Sequence, residues 1–239
     1  MMKASMQVCL TVDVEPDCPP FLETFHGIEQ GLPALLALFA EARVRGTFFV
    51  TGQVARHYPK AVDGIVSSGH ELGCHGDTHR NFRHLSLADA RLELEASSQV
   101  LRPFGPVRSF RAPYLDFPEE YLQLLPEHGM DRDSSLGRYK PAHWRRLLRS
   151  FDVGGVHRVP VSLTSSMLRL PGGLTRLLLR MCPAPVVLFV HPWEFVDWRG
   201  TRLRWDCRFN TGKVALRCLR RAIEHFQARQ AVFLPLSSV

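Results

Sequence analysis

Lysine is scarce in this chain. Only four of its 30 basic residues are lysines, and the arginines that supply the remaining positive charge are scattered along the sequence. The net charge of +7 favours an anionic partner, such as a nucleic acid, an anionic lipid or a phosphorylated substrate. Because the arginines form no nucleic-acid-binding motif, we expect no nucleic-acid partner.

Long apolar runs are absent as well. No stretch reaches the ~18–20 apolar residues that span a bilayer, and residues 1–7 lack the apolar core of a signal peptide. These absences predict a cytoplasmic protein. The six cysteines form no Cys-x-x-Cys pair, which in the cytoplasm predicts reduced thiols in the core. Nothing in the sequence indicates an oligomeric state.

What the chain does contain is enough apolar material for a large core, since 45% of its 239 residues are hydrophobic. The clearest strands are predicted at Gln7–Asp13, Gly46–Val50, Glu71–Cys74 and Val186–His191, and the clearest helices at Gly27–Arg43, Ser86–Leu101, Pro118–His128 and Lys213–Arg229. This alternation predicts a parallel sheet with helices outside. No Gly-x-Gly-x-x-Gly follows the first strand, which disfavours dinucleotide binding.

His75 and His79 lie four residues apart after a strand-like run, and the segment Thr11-Val12-Asp13-Val14-Glu15 precedes them by about sixty residues. An i, i+4 pair lies on one face of a helical turn, and divalent metals such as Zn²⁺ bind imidazole nitrogen and carboxylate oxygen together. Three protein ligands leave a coordination position open for hydrolysis. The alternative is a chance pair of surface residues among 11 histidines.

Five ionisable residues fall at the carboxyl ends of separate predicted strands: Asp13, His75, Arg111, Asp133 and His191. An open doubly wound sheet and a closed barrel both fit the strand–helix alternation. A barrel brings all of its strand ends to one rim, where its active site is built. The five residues therefore favour a barrel.

Five sequence motifs occur in a characteristic order. They are Thr11-Val12-Asp13-Val14-Glu15, Glu71-Leu72-Gly73-Cys74-His75-Gly76-Asp77-Thr78-His79, Arg111-Ala112-Pro113-Tyr114, Asp133-Ser134-Ser135-Leu136 and Phe189-Val190-His191-Pro192. This order resembles the polysaccharide deacetylase (NodB-homology) superfamily, carbohydrate esterase family four. The resemblance runs from about residue 8 to residue 236, which makes residues 1–239 a single domain. It implies an α/β fold, namely a distorted (β/α)₇ barrel with parallel strands. It also implies a bound divalent metal, usually Zn²⁺.

The resemblance also implies roles for individual residues in hydrolysing an N-acyl, usually N-acetyl, group of an amino sugar. Asp13 matches the general base, and Arg111 matches the arginine that holds this base. His191 matches the general acid that protonates the leaving amine. We expect Asp133 to pair with His191 and to raise its pKa, as a nearby anion does.

The metal ligands carried over from the family are His75 and His79, together with a carboxylate from the first motif. The family's usual ligand position is occupied by Val14, which cannot bind a metal. Variants of the superfamily have their ligand one residue later, so we assign Glu15 and keep Asp17 as the alternative. The aromatic residue expected near the fourth motif is not evident.

Two further segments bear on the substrate. Residues 25–33 resemble the lipid-linked aminoarabinose deformylase branch of the superfamily. In residues 163–185, leucines and methionines alternate with arginines. Such a stretch can lie on an anionic membrane surface or pack over the barrel as a loop and helix with its arginines reaching solvent; we favour packing.

We therefore expect a metal-dependent deacylase, either free in the cytoplasm or peripheral to the inner membrane face, that acts on an amino-sugar glycan, a glycolipid precursor or a nucleotide sugar. The net charge favours a phosphorylated or lipid-linked substrate. The first alternative is an amide hydrolase of the same superfamily, deformylase-like or acting on a ureide. The second is a carbohydrate-binding barrel that has lost its metal, a reading that Val14 supports.

Overall fold

The computed structural model describes residues 6–140 and 150–239. The strands are β1 (Gln7–Val14), β2 (Gly46–Val50), β3 (Glu71–Cys74), β4 (Ser109–Phe110), β5 (Arg132–Asp133), β6 (Phe151–Val153), β7 (Val156–Arg158), β8 (Leu163–Thr164), β9 (Val186–Val190) and β10 (Val232–Phe233). The α-helices are α1 (Leu32–Ala42), α2 (Gly52–His57), α3 (Pro59–Ser67), α4 (Leu87–Leu101), α5 (Leu124–Glu127), α6 (Ser165–Leu168), α7 (Gly172–Met181), α8 (Trp205–Arg208) and α9 (Lys213–Gln227).

These strands form one sheet in the order β6-β7-β5-β4-β3-β2-β1-β9-β8, with β10 paired to the start of β1. Strand β1 lies parallel to both β2 and β9, and β6 is antiparallel to β7. Every residue of β2 and β9 is buried, as expected for parallel strands that are covered on both faces. The predicted parallel sheet is confirmed.

The sheet curls because one segment joins its two sides. The chain from β7 to β8 pairs with β5 at its start, where His157 lies opposite Arg132, and with β9 at its end, where Leu163 lies opposite Leu188. A bridge between Gly137 and Val161 lies between these contacts. In the described chain, seven strand positions thus follow one another from β1 through β5, this segment and β9. The predicted fold class, a distorted α/β barrel, is confirmed.

The helices cover the outer face of the sheet. Ser86 caps helix α4, because its hydroxyl accepts a hydrogen bond from the Asp89 N–H over 3.1 Å. The predicted helix Gly27–Arg43 forms as the π-helix Gly27–Gly31 followed directly by α1. The predicted helix Pro118–His128 is interrupted and contains only the 3₁₀ helix Glu119–Tyr121 and α5. Pro126 lacks the N–H that one continuous helix would need there. None of the helices in the described residues is long and apolar enough to cross a membrane.

Candidate active site

The alternation of side chains along β1 selects the carboxylates of the site. Val12 and Val14 face outward and pack in the main core beneath the helices. Cys9 faces the inside of the curled sheet, where it packs with Val187 on β9. Because side chains alternate along a strand and into its continuation, Asp13 and Glu15 share the inner face with Cys9. Val14 points away from the site, so its lack of a ligand atom removes nothing from the predicted metal site.

The two histidines converge on one oxygen of Glu15. The Nε2 atoms of His75 and His79 lie 3.1 and 2.6 Å from Glu15 Oε2. The predicted helical turn between them is wrong, because Gly76 and His79 have left-handed backbone angles, with φ of 74° and 60°. A tight loop rather than a helix brings the rings together, with centroids 5.2 Å apart.

Glu93, a buried residue of α4, holds this loop. Its carboxylate accepts hydrogen bonds from the N–H groups of Asp77 and Thr78, each 3.0 Å long, and from the Thr78 hydroxyl over 2.6 Å. Our sequence reasoning missed Glu93. The signal available was its position beside Leu94 on the inward face of an amphipathic helix, where an unpaired carboxylate is costly.

The donor atoms of Glu15, His75 and His79 all lie within 4.8 Å of one another, which fits a metal ion. His75 donates its Nδ1–H to the Arg111 carbonyl over 2.7 Å, so its Nε2 lone pair faces Glu15. Burial alone raises the pKa of Glu15, but the neighbouring imidazoles outweigh it and hold that pKa well below its usual value.

Asp17, the alternative ligand, is committed elsewhere. Its carboxylate accepts hydrogen bonds from the Thr24 hydroxyl and from the N–H groups of His26 and Gly27, at 2.7 to 2.8 Å. The residue is fully buried beneath the loop that it organises. Asp17 thus shapes the approach to the site, and Glu15 alone of the two faces the histidines.

A buried arginine fixes the second carboxylate. Arg111 donates from Nη1 to Asp13 Oδ1 over 2.8 Å, and its other nitrogens donate to the carbonyl and hydroxyl of Ser134. The guanidinium lies 4.4 Å from the ring centroid of Phe49 and 4.9 Å from that of Phe189. Hydrogen bonds and ring contacts together leave Arg111 little freedom, so Asp13 is held in one orientation.

His191 approaches Glu15 from the opposite side. Its Nε2 lies 3.5 Å from Glu15 Oε1, and its Nδ1 lies 3.6 Å from Glu194 Oε1. Burial lowers the pKa of His191, but Glu15, Glu194 and Asp13 together raise it to about 9. The Trp193 ring stacks on the imidazole at 4.9 Å, and its Nε1–H donates to Glu15 over 3.3 Å.

The predicted pairing of Asp133 with His191 is wrong. Asp133 instead accepts a hydrogen bond from Arg158 Nε over 2.7 Å and another from the Ser135 hydroxyl. Asp133 is fully buried with these donors, whereas His191 faces Glu15 and Glu194, so the two residues are not paired. The Ser135 oxygen also accepts from the Ala112 N–H over 2.8 Å, so Asp133 supports the strand end that carries Arg111.

Arg169 and Glu194 supply the support that we had assigned to Asp133. Arg169 belongs to the stretch 163–185, yet it is buried and its Nη2 lies 3.3 Å from Glu194 Oε1. It also donates to the carbonyls of Phe209 and Asp206. Glu194 in turn accepts from the His191 N–H over 2.9 Å. Sequence reasoning missed this pair, although Glu194 follows His191 by three residues, the spacing of a capping box.

One cavity of about 350 Å³ is lined by the two carboxylates, the three histidines and the supporting ion pair: Asp13, Glu15, His75, His79, His191, Arg169 and Glu194. Tyr114 lies beside the metal ligands, with its ring 5.0 Å from that of His79. Tyr139 and Trp193 line the same cavity. The candidates for the aromatic residue of the family pattern are Trp193, which lines the cavity, and Trp144, which lies outside the described residues.

A disulfide crosses the cavity wall. Cys18, in the loop that follows Glu15, is bonded to Cys207 in α8. The prediction that all six cysteines are reduced is therefore wrong for this pair. The other four are free thiols. No sequence spacing pointed to the bond, because its partners are 189 residues apart.

The comparisons with known proteins agree with this geometry. Residues 3–132 match the family model for polysaccharide deacetylases, which is more than half of the chain. The chain belongs to the polysaccharide deacetylase family. The matched part contains Asp13, Glu15, His75, His79 and Arg111, whereas His191 follows it.

Two curated relatives and one solved structure illustrate the similarity. A chitooligosaccharide deacetylase of Sinorhizobium fredii is 31% identical over 101 residues, which cover 41% of this chain and 47% of the relative. A peptidoglycan deacetylase of Helicobacter pylori is 31% identical over 114 residues, covering 45% and 38%. This chain thus spans less than half the length of either relative. A Mycobacterium smegmatis protein assigned to the polysaccharide deacetylases has the same fold, with a TM-score of 0.76 and 20% identity over all of this chain and 90% of that one.

Proposed function

We propose that this chain is a metal-dependent hydrolase that removes an N-acyl group, most often N-acetyl, from an amino sugar of a glycan, a glycolipid precursor or a nucleotide sugar. One observation carries the proposal. The two oxygens of Glu15 face different partners, His75 and His79 on one side and His191 on the other, beside the carboxylate of Asp13. The names of the curated relatives support the same chemistry.

Each residue of the site has one role in the proposed hydrolysis. Asp13 is the base, and because Arg111 engages its Oδ1, Oδ2 is the oxygen left to take a proton from the attacking water. The water oxygen adds to the acyl carbon, and His191 gives a proton to the amine nitrogen as the carbon–nitrogen bond breaks. A divalent cation held by Glu15, His75 and His79, usually Zn²⁺ for such a donor set, would polarise the acyl carbonyl.

The two alternatives differ in what the same cavity does. An amide hydrolase of the superfamily with another substrate, deformylase-like or acting on a ureide, would use the same residues. A barrel that only binds carbohydrate would need neither base nor acid. The inner-face position of Glu15 removes the main argument for the latter, since Val14 is not the residue that faces the histidines.

The nature of the substrate is a further proposal with two candidates. The net charge of +7 favours a phosphorylated or lipid-linked amino sugar. Trp205 favours a neutral glycan instead, because an exposed aromatic ring can stack on the face of a sugar. Its side chain is 59% exposed and stacks on Phe209 at 4.4 Å, and it follows Arg204, which lines the cavity. Arg204 pairs with Asp206, so its charge is already compensated.

Release of acetate or formate from both substrate sets distinguishes these candidates. We expect phosphorylated amino-sugar precursors to be hydrolysed faster than neutral chito-oligosaccharides, with a preference that shrinks as salt rises. The opposite outcome is equal or faster hydrolysis of neutral oligosaccharides. If Trp205→Ala also lowered that rate, the substrate would be identified as a neutral glycan. No release from either set by protein with bound metal would favour an amide hydrolase with another substrate, such as a ureide, whereas no release by protein without metal would leave the carbohydrate-binding alternative.

Metal analysis tests the ligand set separately from activity. We expect about one divalent ion per chain in the wild type and in Asp17→Ala, and loss of that ion in His75→Ala and Glu15→Ala. Retention by Glu15→Ala together with loss by Asp17→Ala would show that the wrong carboxylate was chosen. Asp17→Ala is the matched control, because both carboxylates are buried and lie two residues apart.

We also propose the cytoplasm, peripheral to the inner membrane face, as the location of the protein. The Cys18–Cys207 bond is of a kind more typical of oxidising compartments, which makes this proposal worth testing. Fractionation of cells, with alkylation of free thiols before lysis, measures the compartment and the state of the bond together. Recovery outside the cytoplasm would contradict the proposal.

A further inference from the structure

Helix α7 carries an exposed apolar stripe. Leu174, Leu177 and Met181 are 46%, 52% and 71% exposed, and their i, i+3, i+7 spacing lies along one side of the helix. Nine large hydrophobic side chains are strongly exposed in the described residues, and three of them lie on this ten-residue helix. Such clustering on a surface marks an interaction site more often than single exposed leucines do.

Uncompensated positive charge accompanies the stripe. Arg176 and Arg180 are exposed on the same helix, and no Asp or Glu occurs between Asp152 and Glu194 in the sequence. Five exposed arginines elsewhere lie against carboxylates, in the pairs Arg83–Asp116, Arg91–Glu127, Arg108–Asp131, Arg199–Asp197 and Arg220–Glu41, whereas others, such as Arg102 and Arg229, do not in the part of the chain that the structure describes. Within residues 6–140 and 150–239, neither Arg176 nor Arg180 forms such an ion pair. The surface therefore attracts anions.

A cavity of about 410 Å³ separates α7 from α9. Its apolar lining includes Leu170 and Leu179. The charged residues of its wall are Arg176, Arg221 and Glu224. Apolar walls next to arginines match the two parts of a phospholipid, its acyl chain and its phosphate. The volume is within the range that holds a small ligand.

We infer that α7 docks the protein on a lipid surface that carries anionic headgroups. The leucines and the methionine of the stripe enter the boundary between headgroups and acyl chains, while Arg176 and Arg180 contact phosphates. Charge selects this occupant over a second copy of the chain, because a symmetric contact through α7 would bring the arginines of both copies together. The inference goes beyond the proposed hydrolysis and does not depend on it.

Co-sedimentation with lipid vesicles tests the inference. We expect the wild type to bind vesicles of phosphatidylglycerol and phosphatidylcholine mixed in about equal amounts, to bind pure phosphatidylcholine much less, and to dissociate as salt rises. Arg176→Ala with Arg180→Ala should weaken binding by roughly tenfold or more, since each basic residue near such a surface contributes ~1 kcal/mol.

Leu177→Glu and Leu174→Glu should each weaken binding to the same vesicles at least as strongly, whereas Leu92→Glu should leave binding unchanged. Leu92 is a matched control, because it is 60% exposed on the outer face of α4. Circular dichroism checks that each variant is folded. Because Leu174→Glu and Leu177→Glu test the same stripe, one of them is sufficient if the other does not fold. Equal loss with Leu92→Glu, equal binding to both vesicle types, or no binding at low salt would overturn the inference. So would a solution dimer that Leu177→Glu dissociates, which would identify a second copy as the occupant.

Discussion

The two halves of the chain build their shares of the site in different ways. Residues 7–133 contribute Asp13, Glu15, His75, His79 and Arg111, each within or close after the end of a parallel strand. Residues 150–239 contribute His191, which also follows a strand but is held by Glu194 and Arg169 from a 3₁₀ helix and the end of α6. Regular strand ends position the proposed metal ligands and base, whereas buried side-chain contacts position the proposed acid.

This difference has a physical consequence. Strand pairing fixes the backbone of the first half through many shared hydrogen bonds, so the loss of one side chain leaves the others in place. In the second half, the strands β6, β7, β8 and β10 are only two or three residues long, as are β4 and β5 in the first half, whereas β9, which leads into His191, has five residues. Strand β9 thus fixes the backbone of His191, but the side chain depends on single contacts with Glu15 and Glu194, and we expect the two halves to respond differently to substitution.

The largest effects are expected on turnover. Asp13→Asn and His191→Ala should each lower kcat by ~10²–10⁴, because each removes a proposed proton-transfer group. Both should keep the metal, whereas His75→Ala should lose it. Turnover and metal content of the purified variants measure the two properties. A variant of Asp13 or His191 within twofold of the wild type would remove that residue from the proposed mechanism.

The same contrast explains what the sequence could predict. Strand ends were found correctly for Asp13, His75, Arg111 and His191, because burial makes parallel strands apolar and a polar residue after them is conspicuous. Glu93 and the Arg169–Glu194 pair were missed because their partners are distant in sequence. Asp133 was assigned to His191 from the family pattern, and only the structure reveals that its partners are Arg158 and Ser135.

The next largest effect is expected on stability in the second half. Arg169→Met leaves Glu194 buried without its arginine and should lower the free energy of unfolding by ~3–5 kcal/mol. Arg199→Met is the control: Arg199 is 74% exposed, and breaking its surface pair with Asp197 should cost under ~1 kcal/mol. Urea unfolding of both variants gives the values. Adding Glu194→Gln to Arg169→Met should recover part of the loss; equal effects of Arg169→Met and Arg199→Met would refute the contrast between the halves.

A smaller effect is expected on metal affinity in the first half. Glu93→Gln replaces the carboxylate that accepts from Asp77 and Thr78, so the loop between His75 and His79 should lose part of its order. Affinity should fall by ~10–100-fold, as is typical when a residue that supports a metal ligand is changed. Competition with a chelator measures it. Glu95→Gln, on the exposed face of the same helix, should have no effect, and an equal loss there would mean that Glu93 does not support the loop.

The smallest effect is expected on how the stability of the first half depends on pH. It involves His70, which lies at the amino end of the sheet, away from the active site. His70 precedes β3, is buried against the rings of Phe39 and Phe48, and accepts a hydrogen bond from the Gly46 N–H over 3.3 Å. Burial and the charge of Arg45 lower the pKa of His70 from 6.5 to about 4. The folded state therefore prefers the neutral ring. The stability that this preference provides is complete above about pH 6.5 and is lost as the pH falls from there towards about 4.

Between about pH 7.5 and about pH 5.5 this loss should reach roughly 1 kcal/mol, since one pKa unit corresponds to 1.36 kcal/mol. His70→Gln keeps an acceptor for the Gly46 N–H but cannot titrate, so its free energy of unfolding should fall less than that of the wild type over the same interval. His84→Gln, at an exposed position, should retain the wild-type dependence. Urea unfolding at the two pH values provides the comparison. If wild type and His70→Gln lose stability equally, His70 is not the group responsible, and the amino end of the sheet does not make the first half sensitive to acid.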